Sequence, residues 1–126
     1  MTTNAGISNN LNMVVEYSDL DFGVLVNVKE RVDAFNFDEA KARFTQAYEL
    51  GRKFMAIDLT QAPFLSLQSI KFIHSLAVEL EGRGGRLALI GPGQKIKRQI
   101  DIFASLDPID IWPDQSQWQQ HLPLNS

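Results

Sequence analysis

The sequence predicts an α/β domain with a mixed, mostly parallel β-sheet, and three observations carry that prediction. Short apolar runs alternate along the chain with segments whose apolar residues recur every three or four positions, the pattern of strands joined by crossover helices. The first two runs are separated only by SDLD, which reads as a hairpin connection. The 126 residues, 44% hydrophobic and 21% charged, fit one domain able to bury about two thirds of its unfolded surface.

Residues 1–12 are small, polar and rich in Asn, and read as a flexible tail before a domain spanning 13–126. MVVEY (13–17) and FGVLVNVK (22–29) are the hairpin strands. The following helix starts at Asn36, a residue suited to an N-cap, carries Asp38 and Glu39 at the positive end of its dipole, and stops at Gly51. Phe37, Ala40, Phe44, Ala47 and Tyr48 form its apolar stripe. KFMAIDL (53–59) has the composition of a strand covered on both faces. A helix from about Ser66 to Glu81 carries Ile70, Ile73, Ala77 and Leu80 at spacings of three and four, and GRGG (82–85) breaks it. RLALIG (86–91) is another buried strand. PGQKIKRQIDIFASL is a helix opened by Pro92 and Gly93, PIDIW (108–112) a short last strand, and DQSQWQQHL (114–122) a final helix capped by Asp114. The order is ββαβαβαβα, which implies right-handed crossovers.

Composition excludes several classes of function. A net charge of −3 gives no general electrostatic reason to bind nucleic acid or an anionic membrane. The absence of cysteine removes disulfides, thiolate catalysis and thiolate metal sites. His74 and His121 are too far apart in sequence to suggest a metal site, so neither metal nor cofactor is expected. The amino terminus has neither the basic region nor the apolar core of a signal peptide, and no apolar run approaches the ~20 residues of a membrane helix. The expectation is a cytoplasmic protein.

The junction between the buried strand and the helix that follows it, AIDLTQAPFLSLQS, is the place to look for function, because strand ends in α/β domains direct backbone N–H groups outward. Asp58-Leu59-Thr60 there invites comparison with carboxylate phosphotransfer sites. However, no second acid or lysine lies at a motif-like distance to hold Mg²⁺ or phosphate, and a structural turn is the simpler account. GPG (91–93) has neither the GxGxxG nor the Walker spacing. KIKR (95–98) is a local basic cluster, a solvated helix face or a contact for an acidic partner. His74 reads as a solvated or packed histidine, and Trp112 and Trp118 as packing residues. Ser66 is the ordinary kind of helix cap, and Leu67 is a hydrophobic contact if exposed and core if not.

Four places together resemble the STAS domain, the family of bacterial anti-sigma-factor antagonists: RVDAFNFDEAKARF, AIDLTQAPFL, RGGRLALIGPGQKIKRQI and LDPIDIWPDQSQW, covering roughly residues 13–120. The resemblance implies a mixed sheet with helices packed largely on one face. It also implies a protein-binding switch of transcription rather than an enzyme, whose partner is an anti-sigma factor that is also a serine kinase. In that family the kinase modifies a serine in an Asp-Ser-Ser-Gly motif at the start of the second helix. Counted from Asp58, the motif falls on Ser66-Leu67-Gln68-Ser69, so Leu67 stands at the phospho-acceptor position without a hydroxyl. Glu30 stands where the family often has glycine. The expectation is therefore a divergent member that meets its partner through Ser66, Leu67, Gln68 and Ser69 and is not phosphorylated at the usual place. The alternatives are a non-switching scaffold or homodimer module, and a small ligand-binding domain using the strand ends near Asp58 and Gly91.

Overall fold

The computed structural model describes residues 13–20, 22–103 and 107–122. The expected tail, residues 1–12, and the expected last turn of the third helix, residues 104–106, lie outside them. The elements are β1 (Val15–Asp19), β2 (Val24–Val28), α1 (Phe37–Tyr48), β3 (Phe54–Asp58), α2 (Leu67–Gly82), β4 (Arg86–Ile90), α3 (Gln94–Phe103), β5 (Ile109–Trp112) and α4 (Gln115–His121). The predicted order holds. The first strand is displaced by two residues, because Ser18 and Asp19 continue the antiparallel ladder opposite Leu25 and Val24 instead of forming the turn.

The sheet runs β1-β2-β3-β4-β5, with β1 antiparallel to β2 and every later neighbour parallel. Alternation along the strands separates two apolar layers. Val24, Val26, Met55, Ile57, Leu87 and Leu89 face a core shared with Phe44 of α1, Ile70, Ile73 and Ala77 of α2, and Ile96 and Ile100 of α3. Leu25, Ala56, Ala88 and Ile90 face the other way, and among the described residues Trp118 and Leu122, from α4 and its end, join them in the second cluster's buried set. Each fully buried aliphatic or aromatic side chain contributes about 1.5–3 kcal/mol, so the three-helix face dominates the energetics. Helices are thus packed largely on one face, as expected.

Strand order equals chain order from β2 to β5, and all three crossover helices lie on one side. Winding in a single direction leaves no point where the connections diverge, and such a point is where open α/β sheets form their ligand crevice. The loops at the carboxyl ends of β2, β3 and β4 form a row.

Candidate functional site

That row is held together by backbone hydrogen bonds. Val32, in the β2–α1 loop, makes an isolated parallel bridge with Leu65, its N–H donating to Phe64 O at 3.0 Å and its O accepting from Ser66 N–H at 2.8 Å. The loop is shaped from within by Asp33, whose Oδ1 accepts from the N–H groups of Phe35 at 2.9 Å and Asn36 at 3.2 Å. The Asn36 side chain does not cap α1. It turns back, accepting from Asp33 N–H and donating to Arg31 O. The expected cap is corrected here: the loop takes up the amide before the helix can use it. The result is a pinned loop that leaves Phe35 98% exposed.

The start of α2 follows directly. Ser66 caps the helix, its Oγ accepting from Ser69 N–H at 3.2 Å. Ser66 Oγ and Ser69 Oγ are 2.8 Å apart, and Ser69 has no exposed surface. The two hydroxyls satisfy each other, and Ser69 presents nothing to a partner in this conformation. Leu67, the first helical residue, is 40% exposed, and Gln68 beside it is exposed as well. The outward side chains of the 66–69 stretch are therefore Leu67 and Gln68.

Asp58 is a latch. Its Oδ1 accepts from Thr60 N–H at 2.9 Å and from Thr60 Oγ1 at 2.7 Å, and its Oδ2 accepts from Gln115 Nε2 at 2.6 Å. Both oxygens of this buried carboxylate are occupied by neutral donors that tie the end of β3 to α4. Gly91, at the end of β4, has φ +61°, and a Cβ there would collide with Thr60 Cγ2. The Thr60 methyl therefore packs directly against Gly91 between the two strand ends. Among the described residues no cluster of three His, Cys, Asp or Glu side chains could hold a metal ion. A cavity of about 440 Å³ lies instead along the edge of the sheet, against Met13, Val15, Tyr17 and Arg43.

His74 is half-buried, with Nε2 3.4 Å from Asp107 O. Trp118 is buried against Phe22, the rings 5.9 Å apart, and Trp112 packs on His121. Arg86 on β4 donates to both carboxylate oxygens of Asp110, and this hydrogen bonding raises its pKa above the ordinary guanidinium value against the opposing effect of burial. The two tryptophans are packing residues, and Arg86 is held in ion pairs with Asp110 and Glu81. Sequence reasoning missed Arg31 and Phe35. Their roles depend on the Val32–Leu65 bridge, which joins segments more than thirty residues apart and leaves no local periodicity.

The STAS domain family model matches residues 12–117. Among solved structures, a candidate anti-sigma factor antagonist from Thermotoga maritima superposes with a TM-score of 0.75 at 17% identity, over 85% of this chain and 92% of that one. An anti-sigma factor antagonist from Mycobacterium paratuberculosis gives 0.75 at 16% identity, over 86% and 92%. The Bacillus cell-fate determinant SpoIIAA in its phosphorylated form gives 0.66 at 12% identity, over 84% and 97%. Comparison with curated protein sequences returns no match. No helix among the described residues is long and apolar enough to cross a membrane.

Proposed function

Because the chain belongs to the STAS domain family, we propose that it is a regulatory protein-binding module of the anti-sigma-factor-antagonist kind, docking a partner through residues 64–69 and the exposed side of α2, and that it is not switched by phosphorylation at position 67. The partner proposed is an anti-sigma factor with serine kinase activity. One observation carries this reading. The first residue of α2 is a half-exposed leucine, so the exposed spot that corresponds to the family's acceptor offers a contact surface and no oxygen nucleophile. The neighbouring hydroxyls favour the same reading, since Ser66 and Ser69 are occupied with the cap and with each other. A phosphate would bring about −1.5 to −2 charges at pH 7, and on Ser69 it would have to displace buried packing.

The test begins with native purification from cells and mass spectrometry of the chain and of whatever co-purifies. The complex is expected to survive ATP with its 64–69 segment unmodified. Leu67→Asp should leave the fold intact, because an acid at a helix start is favoured by about 0.3–1 kcal/mol, and should weaken the complex by burying an unpaired charge. Phosphate on Ser66 or Ser69 with release of the partner would refute the non-switching claim. Unchanged affinity in Leu67→Asp would remove this loop from the interface.

A further inference from the structure

Several cations elsewhere on this protein are held by carboxylates. Arg52 makes two hydrogen bonds to Asp19, Arg86 bridges Asp110 and Glu81, and Lys29 pairs with Glu16. Others lie over aromatic rings, Lys41 over Phe72 and Arg83 over Tyr48, and at the carboxyl end of the sheet two cations share one ring. The Arg31 guanidinium lies 5.2 Å from the centre of the Phe64 ring, and Lys95 Nζ, from the first turn of α3, lies 5.8 Å from the same centre. Lys95 has no ion pair among the described residues. Arg31 has only Asp33 Oδ2, at 3.6 Å, and the other oxygen of that carboxylate is engaged by the Phe35 and Asn36 N–H groups. Lys71, one turn beyond Leu67, is exposed and likewise without an ion pair among the described residues. Of the acids at this end, Glu30, Asp33, Asp38 and Glu39 belong to the β2–α1 loop and the start of α1, Asp58 is buried with both oxygens hydrogen-bonded, and Asp114 caps α4. The first turns of α2 and α3 carry none. The end is therefore polarised, acidic toward α1 and basic across α2 and α3, on a chain whose net charge is −3.

The apolar groups lie among these cations. Phe64 sits beneath two of them, and Leu67, three residues on, is half-exposed. An aromatic ring with cations at its face is a pre-oriented anchor, since the quadrupole holds the charged groups near the ring without neutralising them. The geometry points to a partner segment that is apolar and acidic together: a protein strand or helix whose leucine-like side chain covers Phe64 and Leu67 while flanking Asp or Glu carboxylates take Arg31 and Lys95. This inference rests on the docking role proposed above and adds the chemistry of the partner. The pairing is favourable because the cations, already beside apolar surface, gain a counter-charge as water leaves.

The probe is a peptide built only of leucine and glutamate, titrated into ¹⁵N-labelled full chain. Its leucine–lysine counterpart, phosphatidylserine vesicles and inorganic phosphate are the comparisons. Amide shifts for the acidic peptide are expected at Arg31, Phe64, Leu67, Gln68 and Lys95, with affinity falling as salt rises. Arg31→Glu combined with Lys95→Glu should weaken the acidic peptide roughly tenfold and improve binding of the lysine peptide. Lys53→Glu, an exposed cation at the amino end of β3, should change neither. The inference is overturned if the lysine peptide binds the native chain as well as the acidic one, if the shifts fall elsewhere, or if only vesicles or phosphate perturb these residues. It is also overturned if a natural partner is lost in Leu67→Asp yet unaffected by the double charge reversal. In that last case the docking role would stand and the acidic chemistry alone would fall.

Discussion

Ser66→Ala should cost more than a helix cap, because the same hydroxyl keeps a buried one satisfied. Losing the cap itself costs about 1 kcal/mol. Ser69 is fully buried, and its Oγ sits 2.8 Å from Ser66 Oγ. Stripped of that partner, a buried hydroxyl costs about 1–3 kcal/mol. The single variant should then lose about 2–4 kcal/mol, which in a domain of this size lowers Tm by roughly 8–16 °C. Ser69→Ala alone leaves the cap in place and lets the half-buried Ser66 hydroxyl turn to water, at a cost below about 1 kcal/mol. Combining the two removes the cap but leaves no orphaned hydroxyl, so the double variant should be more stable than Ser66→Ala by about 1 kcal/mol or more. Urea titrations and thermal unfolding of the four proteins, followed by far-ultraviolet circular dichroism, measure this coupling. If adding Ser69→Ala destabilises the Ser66→Ala protein further, the reasoning fails. The Ser69 hydroxyl would then have found another acceptor, for which the carbonyl four residues earlier, at Leu65, is the candidate.

Other expectations follow from the same surface and its supports. Gly91→Ala should destabilise by about 2–4 kcal/mol from its left-handed φ and the collision with Thr60, and Thr60→Ser, which removes the colliding methyl, should recover part of that loss in a double-variant unfolding experiment. Asp58→Ala should cost about 2–4 kcal/mol by leaving Gln115 and the Thr60 turn unpaired, whereas Asp58→Asn should cost only about 1 kcal/mol, since Gln115 can rotate its amide to present oxygen. Trp118→Ala should lose about 3–5 kcal/mol and most of the buried-tryptophan emission, because Trp118 anchors α4 to the sheet. An unchanged unfolding midpoint in that variant would show that α4 is dispensable.

Element type and order were legible in the sequence because each signal was local. The strand runs alternate or are wholly apolar, Ser66 and Asp114 stand as caps where their hydrogen bonds to Ser69 and Gln117 now place them, and GRGG ends α2 where Gly84 takes a positive φ. The errors came where a side chain had two local uses. Asn36 could cap α1 or brace the loop before it, and only the Asp33 turn decides between them. The family motif puts Ser69 in the contact surface, yet α2 turns it inward, where the Ser66 hydroxyl makes its burial tolerable. The basic run KIKR was visible, but its meaning was not. Lys95 became part of a site only when folding brought it to Phe64, whose other cation comes from a loop after a different strand.

The winding of the sheet bears on the docking surface proposed above. A doubly wound sheet sends helices to both faces and opens a crevice where they part. Here β2 to β5 advance in one direction under one layer of helices, and the strand ends that would form a crevice are closed by Thr60 against Gly91 and by the Asp58 latch. What remains at that end is a ridge of loops carrying Phe35, Phe64 and Leu67. Exposed apolar area costs about 25 cal/mol per Å² left in water, and none of the fold's own packing needs these side chains to point outward. A partner that covers them recovers that free energy, and a phosphate at position 67 would prevent it. Under the docking role proposed above, leucine at this position keeps that apolar contact available to the partner.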